Sequence, residues 1–365
     1  MANILDYIDW RGDLSFEAAP FTETDALVLA EFGYVPLEGT VLPGFGGTVS
    51  FREAYDRFSP ENVSEKLRII SFEQDCVLFG KMAASRRYGG AKLMGYTNII
   101  DCTKEIQFSA VTILLDNGTA FVSFRGTDGS LVGWKEDFSL SYSNRTAGQL
   151  YAESYLNSAL AGNRRPVRVG GHSKGGNLAI YASAFARPEI ASQITDIYAF
   201  DAPGFRDEVT GSPEYSAIMP KIHSFVPETS VVGMLLNTGI EYKVVQNSGS
   251  GFMQHLAYNW ETGPLELPAA DGLSRSGEVI NKAISGFLEE FSDEDRRAFT
   301  DAVFGVLSAP EKDTFREILK GKLASTGAMI KAYRGFTQEQ RTVIKEAIIK
   351  LAKKGGTALL PKNDK

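Results

Sequence analysis

Cysteine, histidine, excess positive charge and long apolar runs are all scarce or missing in this chain of 365 residues. The two cysteines, Cys76 and Cys102, form no CxxC pair and cannot frame a chain of this size with disulfides, which points to a reducing compartment. Thirty-eight basic residues stand against 45 acidic ones, giving a formal charge of −7 and a pI near 5.3. That balance works against a phosphate-binding surface, so nucleic acid is not an expected partner. No apolar stretch is long enough to span a bilayer. The opening MANILDYIDWRGDLSF carries Asp6 and Asp9 where a secretory signal needs a basic segment followed by an uninterrupted apolar one. These absences together predict a cytoplasmic protein. HExxH, paired CxxC and a Walker A lysine are also missing, so neither a metal nor an organic cofactor is expected.

What is present, 43% hydrophobic and 23% charged residues, belongs to a globular protein with room for a large core. Residues 1–103 read as mainly helical. Thr22 and Asp25 make a capping-box pattern before ALVLAEF, with Gly33 to close the helix. Ser59-Pro60 has the form of an N-cap and a first-turn proline, predicting a helix over ENVSEKLRIISF. PLEGTVLPGFGGTVSF between them is rich in glycine and proline and reads as irregular. From residue 104 the pattern changes. EIQFSAVTILL and TAFVSFRG flank Asp116-Asn117-Gly118 as a hairpin, and Thr146 to Gln149 caps a helix predicted over 147–161 and closed by Gly162. VRVGGH, ITDIYAFD, KIHSFVP and YKVVQNS follow at crossover spacing, so a mostly parallel sheet is expected across 104–270. Residues 271–365 return to helical spacing, with capping boxes at Ser292 to Asp295 and Thr337 to Gln340, a helix start at Pro310, and a basic end, KEAIIKLAKKGG, read as a solvated face.

Within RVGGHSKGGNLAIYAS, residues 168–183, a strand runs into Gly-x-Ser-x-Gly and then into good helix formers. With 36 glycines the pentapeptide alone would arise by accident ~0.2 to 0.3 times in such a chain, so its strand-to-helix context carries the reading. Gly171 and Gly175 clear the close approach of strand and helix, leaving Ser173 exposed as a nucleophile with a helix N-terminus behind it. Three histidines compete as its base. His172 adjoins the serine on the tight turn and its ring is expected to point elsewhere, in a structural role. His223 lies within a predicted strand. His255, in the irregular stretch after the last strand, can reach the top of the sheet. Two acids between Ser173 and His255 end successive strands, Asp201 before Ala-Pro-Gly and Glu228 after HSFVP, and either could orient the imidazole. Ser, acid, His is the chain order of α/β-hydrolases. The oxyanion requires two backbone N–H groups. Lys174 supplies one by following the nucleophile, and Thr127 in FVSFRGTDGSLVGWKEDF is placed for the other.

FRGTDGSLVGWKEDF is similar to the FRGT-x-W-x-x-D segment of the class 3, fungal-type lipases, and GHSKGG resembles their GHSLGG elbow. The resemblance aligns Thr127 with their oxyanion donor, Ser173 with the nucleophile and His255 with the base. Where those lipases carry the acid in H-x-x-D, His223 is followed by Val226. Nearly the whole chain also resembles a family of bacterial proteins of unassigned function in the α/β-hydrolase superfamily, through NILDYIDWRGDLSF, DAPGF, VPETSVVGMLL, QHLAYNW and the helical tail. Its D-x-P-G turn points to Asp201. The resemblance implies an α/β-hydrolase fold and a serine esterase or lipase-like hydrolase acting on a small acyl-ester or lipid-like substrate through an acyl-enzyme. A catalytically silent binding or interaction protein of the same fold, and a peptidase or amidase, are the competing readings.

Overall fold

The computed structural model of the chain describes residues 2–310 except 102, 129 and 237, together with 329–331, 335, 338 and 341. The capping box at Thr337 to Gln340, the helix after Pro310 and the basic stretch KEAIIKLAKKGG lie outside the described residues.

The core is an eight-stranded sheet whose strands lie side by side in chain order: β1 (Val49–Ser50), β2 (Lys92–Asp101), β3 (Ile106–Leu114), β4 (Ala120–Phe124), β5 (Val167–His172), β6 (Ile194–Phe200), β7 (Ile222–Pro227) and β8 (Tyr242–Val245). The pairs from β1 to β4 are antiparallel and those from β4 to β8 parallel. The β3–β4 hairpin turns at Gly118 with φ +81°, the conformation for which a glycine is placed there. The parallel connections from β4 to β8 are crossovers, as their spacing predicts.

Helices cover both faces. Helices α1 (Ile4–Arg11), α2 (Glu23–Phe32), α3 (Phe51–Arg57) and α4 (Phe72–Ala84) come from the first hundred residues; α5 (Leu131–Ser139), α6 (Ala147–Ala159) and α7 (Lys174–Phe185) follow β4 and β5. The two-residue period of a strand divides each strand between two cores. On β4, Phe121 joins Leu27, Val28, Phe79 and Met82 of the N-terminal helices, while Ala120, Val122 and Phe124 face Leu156, Leu178 and Ala182 of α6 and α7. Asp25, in the predicted capping box at Thr22, also anchors the N-terminal layer. Its carboxylate takes the Nε and Nη2 protons of buried Arg87 at 2.7 and 2.6 Å, and the other Arg87 protons go to the carbonyls of Leu14, Ala19 and Pro20.

Two local expectations are corrected. The segment 61–71 is not α-helical: only short 3₁₀ turns form at Pro60–Asn62 and Glu65–Leu67, and the helix starts at Phe72. The Arg68 guanidinium binds the carbonyls of Pro60, Glu61 and Val63, fastening the chain in an irregular loop that offers no continuous ladder. The sheet also begins well before residue 104. β2, within the region read as helical, pairs with β3 over most of its length across a bulge between Met94 and Thr97, so the first region and the core share one sheet. After β8, helices run over Arg275–Glu290 and Asp293–Ser308, the second capped by Ser292 at the predicted box. Among the described residues no helix is long and apolar enough to cross a membrane.

Candidate active site

β5 ends at His172 and α7 starts at Lys174, so Ser173 alone makes the turn, at φ 58° and ψ −134°. A residue with a Cβ occupies that region only where its surroundings force it. The forcing groups are identifiable. The Ser173 N–H bonds the Phe200 carbonyl at 2.8 Å and its own carbonyl accepts from Gly176 N–H at 3.0 Å. A side chain at Gly171 or Gly175 would strike the Phe124 carbonyl where α7 crosses the end of the sheet. The glycines are therefore steric requirements of the elbow.

Asp201 follows β6, fully buried and itself at φ 45°. Its Oδ2 lies 2.6 Å from His255 Nδ1, and its Oδ1 accepts from Ser230 Oγ at 2.5 Å and Gly233 N–H at 3.0 Å. Three bonds fix the carboxylate, and a carboxylate partner fixes His255 with its proton on Nδ1. His255 stands on the 3₁₀ turn Gly251–His255. The neighbouring Gln254 holds that turn: its carbonyl accepts from buried Trp260 Nε1 at 2.8 Å and Asn247 Nδ2 at 2.9 Å, and its side-chain oxygen from Thr229 N–H at 2.6 Å.

Glu228 immediately follows β7. The bond recorded there runs through its backbone carbonyl, which accepts from Ser274 N–H at 2.7 Å. The third histidine, His223, is an exposed residue of β7 that stacks on Tyr198 and meets Asp196 at 3.1 Å.

The FRGT segment continues from β4 along the elbow. A Cβ built on Gly126 would stand 3.1 Å from the Ser173 Cβ, so this backbone passes directly beside Ser173. Thr127 Oγ1 donates to Asp137 Oδ2 at 2.5 Å, clamping the loop to α5. Burial pushes the Asp137 carboxyl up to about 7 against the pull of Lys174. As the first residue of α7, Lys174 carries one of the N–H groups that helix geometry leaves without an intrahelical acceptor.

The Lys174 side chain belongs to a buried cluster that the sequence reading did not include. Its ammonium reaches Gln107 Oε1 at 2.6 Å, the Gln107 carbonyl at 2.9 Å and Glu136 Oε2 at 2.9 Å. Glu136 also accepts from Gly148 N–H at 2.6 Å and Gln107 N–H at 3.2 Å. A lysine where GHSLGG has leucine was the available signal, since a charge at the start of an otherwise apolar helix requires a buried partner. Lys174→Met strands the Glu136 charge and is expected to destabilise by about 3–5 kcal/mol. Adding Glu136→Gln should return part of that loss in urea unfolding, and a single variant as stable as wild type would show that the ion pair contributes nothing.

A mostly parallel sheet covered by helices on both faces, with a strained serine where a central strand turns into a helix, defines an α/β-hydrolase fold. Residues 82–305 match the Mbeg1-like family, and the chain belongs to that family. A comparison with curated proteins gives no match. Among solved structures the chain is similar to the native Rhizomucor miehei lipase propeptide complex, at 18% identity and a TM-score of 0.32 over 42% of this chain. It spans 57% of that lipase chain. It is also similar to M37 lipase, at 13% identity and a TM-score of 0.39, over 60% of this chain and 70% of that one.

Proposed function

We propose that the protein is a serine hydrolase that cleaves carboxylic esters or thioesters of small acyl or lipid-like substrates through an acyl-enzyme. The observation that carries this reading is the 2.6 Å contact of His255 Nδ1 with buried Asp201, in a chain whose Ser173 is held at φ 58° on the strand-to-helix elbow. A protein that only binds an acyl ligand needs neither an oriented imidazole nor a strained serine. In the proposed reaction Ser173 Oγ attacks the acyl carbon as His255 Nε2 takes its proton. The tetrahedral oxyanion is held by the N–H groups of Thr127 and Lys174. His255 then returns the proton to the departing alcohol or thiol, and water attacking the acyl-enzyme repeats the sequence and frees the acid. Asp201 keeps the imidazole in the required tautomer and stabilises the imidazolium. Residues 2–310 supply all these groups, and the resemblance of the FRGT and GHSKGG segments to lipase motifs favours acyl substrates over peptides.

The test is labelling of folded protein with a fluorophosphonate, alongside turnover of acyl esters and thioesters of increasing chain length. Stoichiometric labelling at Ser173 is expected. A folded wild type that never labels and turns over no ester sinks the proposal and leaves the silent binding protein in its place. Preferential cleavage of amides over esters would move the reading to a peptidase or amidase.

Thr127 provides a separate check, because its proposed role belongs to the backbone N–H. Thr127→Pro removes that donor, and turnover is expected to fall about 10²- to 10³-fold. Circular dichroism must report a retained fold, since proline can also distort the loop. A folded variant with near-normal turnover excludes this segment from the oxyanion site.

A further inference from the structure

The buried ring of His172, next to the nucleophile in sequence, points away from it toward the N-terminal helices and the turn that carries His255. Its Nε2 lies 2.8 Å from the backbone carbonyl of His255, and the two imidazoles overlap with centroids 4.6 Å apart. On the opposite side its Nδ1 stands 3.0 Å from Glu31 Oε1 at the end of α2. That oxygen accepts no hydrogen bond among the described residues, so its contact with His172 is that of an ion pair. Tyr34 OH lies 3.4 Å from Nδ1 and donates to the His172 carbonyl at 3.3 Å. A carbonyl oxygen can only accept, so Nε2 of His172 must carry a proton. An ionised carboxylate facing Nδ1 favours a second proton there.

We propose that His172 is a positioning residue: its Nε2–H holds the His255 carbonyl, and Glu31 keeps His172 in the protonation state that makes this bond. The proposal rests on the hydrolase reading for its consequence in turnover, but not for the bond itself. Glu31, His172 and the His255 backbone form a chain that links α2 to the turn beneath the proton-transferring ring. It accounts for a glutamate that is 3% exposed in the otherwise apolar stretch Ala26–Phe32 of α2, a residue the proposed reaction does not otherwise use.

The charged and titratable groups facing His172 are Glu31 and Tyr34 from α2 and the segment after it, Asp201 from the end of β6, and His255 beside it. Asp75 of α4 and its partner Tyr258 lie further along the same buried network. Burial opposes a charge on His172, yet Glu31, Asp201 and the His255 carbonyl outweigh it and hold the imidazole above its ordinary value. The imidazolium is therefore present below that raised value and lost as pH climbs through it. Once one proton leaves, a ring lone pair faces either the Glu31 carboxylate or the His255 carbonyl, and one contact fails. Turnover should then fall on the alkaline side. Glu31→Gln should remove that alkaline fall, because its amide can donate to Nδ1 while Nε2 stays protonated.

The experiment combines ¹⁵N and far-downfield proton spectra of the three histidines with kcat across pH, for wild type, Glu31→Gln, His172→Gln and His172→Leu. His172→Leu is expected to weaken or abolish the downfield resonance of the His255 Nδ1 proton and to lower kcat by up to about 10²-fold, the scale of a small misplacement of a reacting group. KM is expected to stay near the wild-type value. His172→Gln retains a donor toward the carbonyl and should restore most of both signals. A folded His172→Leu protein with the wild-type resonance and kcat overturns the proposal, as does a wild-type spectrum in which Nε2 of His172 is unprotonated at pH 7. If leucine prevents folding, the wild-type tautomer and the alkaline limb of Glu31→Gln decide the matter. The resonances are read without substrate, so a protein that resists fluorophosphonate sinks the hydrolase reading while the spectra still decide whether His172 holds His255.

Discussion

Replacing Ser173 with alanine is expected to abolish fluorophosphonate labelling and to lower turnover on the order of 10⁶-fold, the scale found when a serine hydrolase loses its nucleophile. No neighbouring hydroxyl can substitute, because the attacking atom must leave from a turn where strand, helix and the FRGT backbone converge. The same residue makes a second prediction about stability. At φ 58° and ψ −134°, a Cβ on residue 173 is strained, and such positions cost of order 1–3 kcal/mol. Ser173→Gly removes the strain, although glycine gives back up to about 1 kcal/mol through the entropy of the unfolded chain. The glycine variant should therefore be inactive yet unfold at higher urea than the alanine variant, which keeps the Cβ. Equal midpoints for the two would mean that the elbow stores no strain. Labelling that persists in Ser173→Ala would place the reactive residue elsewhere and remove the basis of the mechanism.

The contrast between what the sequence announces and what it conceals follows from the range of the interactions involved. Parallel strands β5 to β8 and the capped helices are legible because period, caps and crossover spacing are local. The capping boxes at Thr22 and Thr146 form, and Ser292 caps its helix by accepting from the Asp295 N–H. So is the elbow, since its glycines answer to sterics within five residues. Strand β2 was hidden: KLMGYTNIID carries Gly95 at a bulge, which breaks the alternation that would otherwise mark a strand. The predicted helix after Pro60 failed because Arg68, several residues away, takes the carbonyls that the ladder would need. Buried clusters are least legible. Lys174 with Glu136 and Gln107, and His172 with Glu31, pair residues 38, 67 and 141 positions apart, and nothing in their immediate sequence names the partner. The choice between Asp201 and Glu228 was open for the same reason, as both end adjacent strands and only packing in three dimensions turns one of them toward His255.

That choice yields the second large effect. Asp201→Asn is expected to lower turnover on the order of 10⁴-fold, because an amide facing Nδ1 can stabilise the tautomer in which Nε2 already carries a proton and cannot accept one from Ser173. Glu228→Gln should leave turnover within a few-fold, since the contact recorded at that residue uses its backbone carbonyl, which glutamine retains. The asparagine variant needs a control, because Asp201 also accepts from Ser230 Oγ and the Gly233 N–H. Losing the charge weakens those bonds by about 1–2 kcal/mol each at most, and the strained backbone at φ 45° remains as it was. Unfolding in urea measures that part of the effect separately. A folded Asp201→Asn protein that loses stability but keeps its turnover would make Asp201 an anchor of the turn and return Glu228 as the acid to be tested. If instead turnover collapses while most of the molecules remain folded, the loss belongs to the chemistry. The downfield proton of His255 should then be absent from the same sample, tying the kinetic defect to the broken 2.6 Å contact.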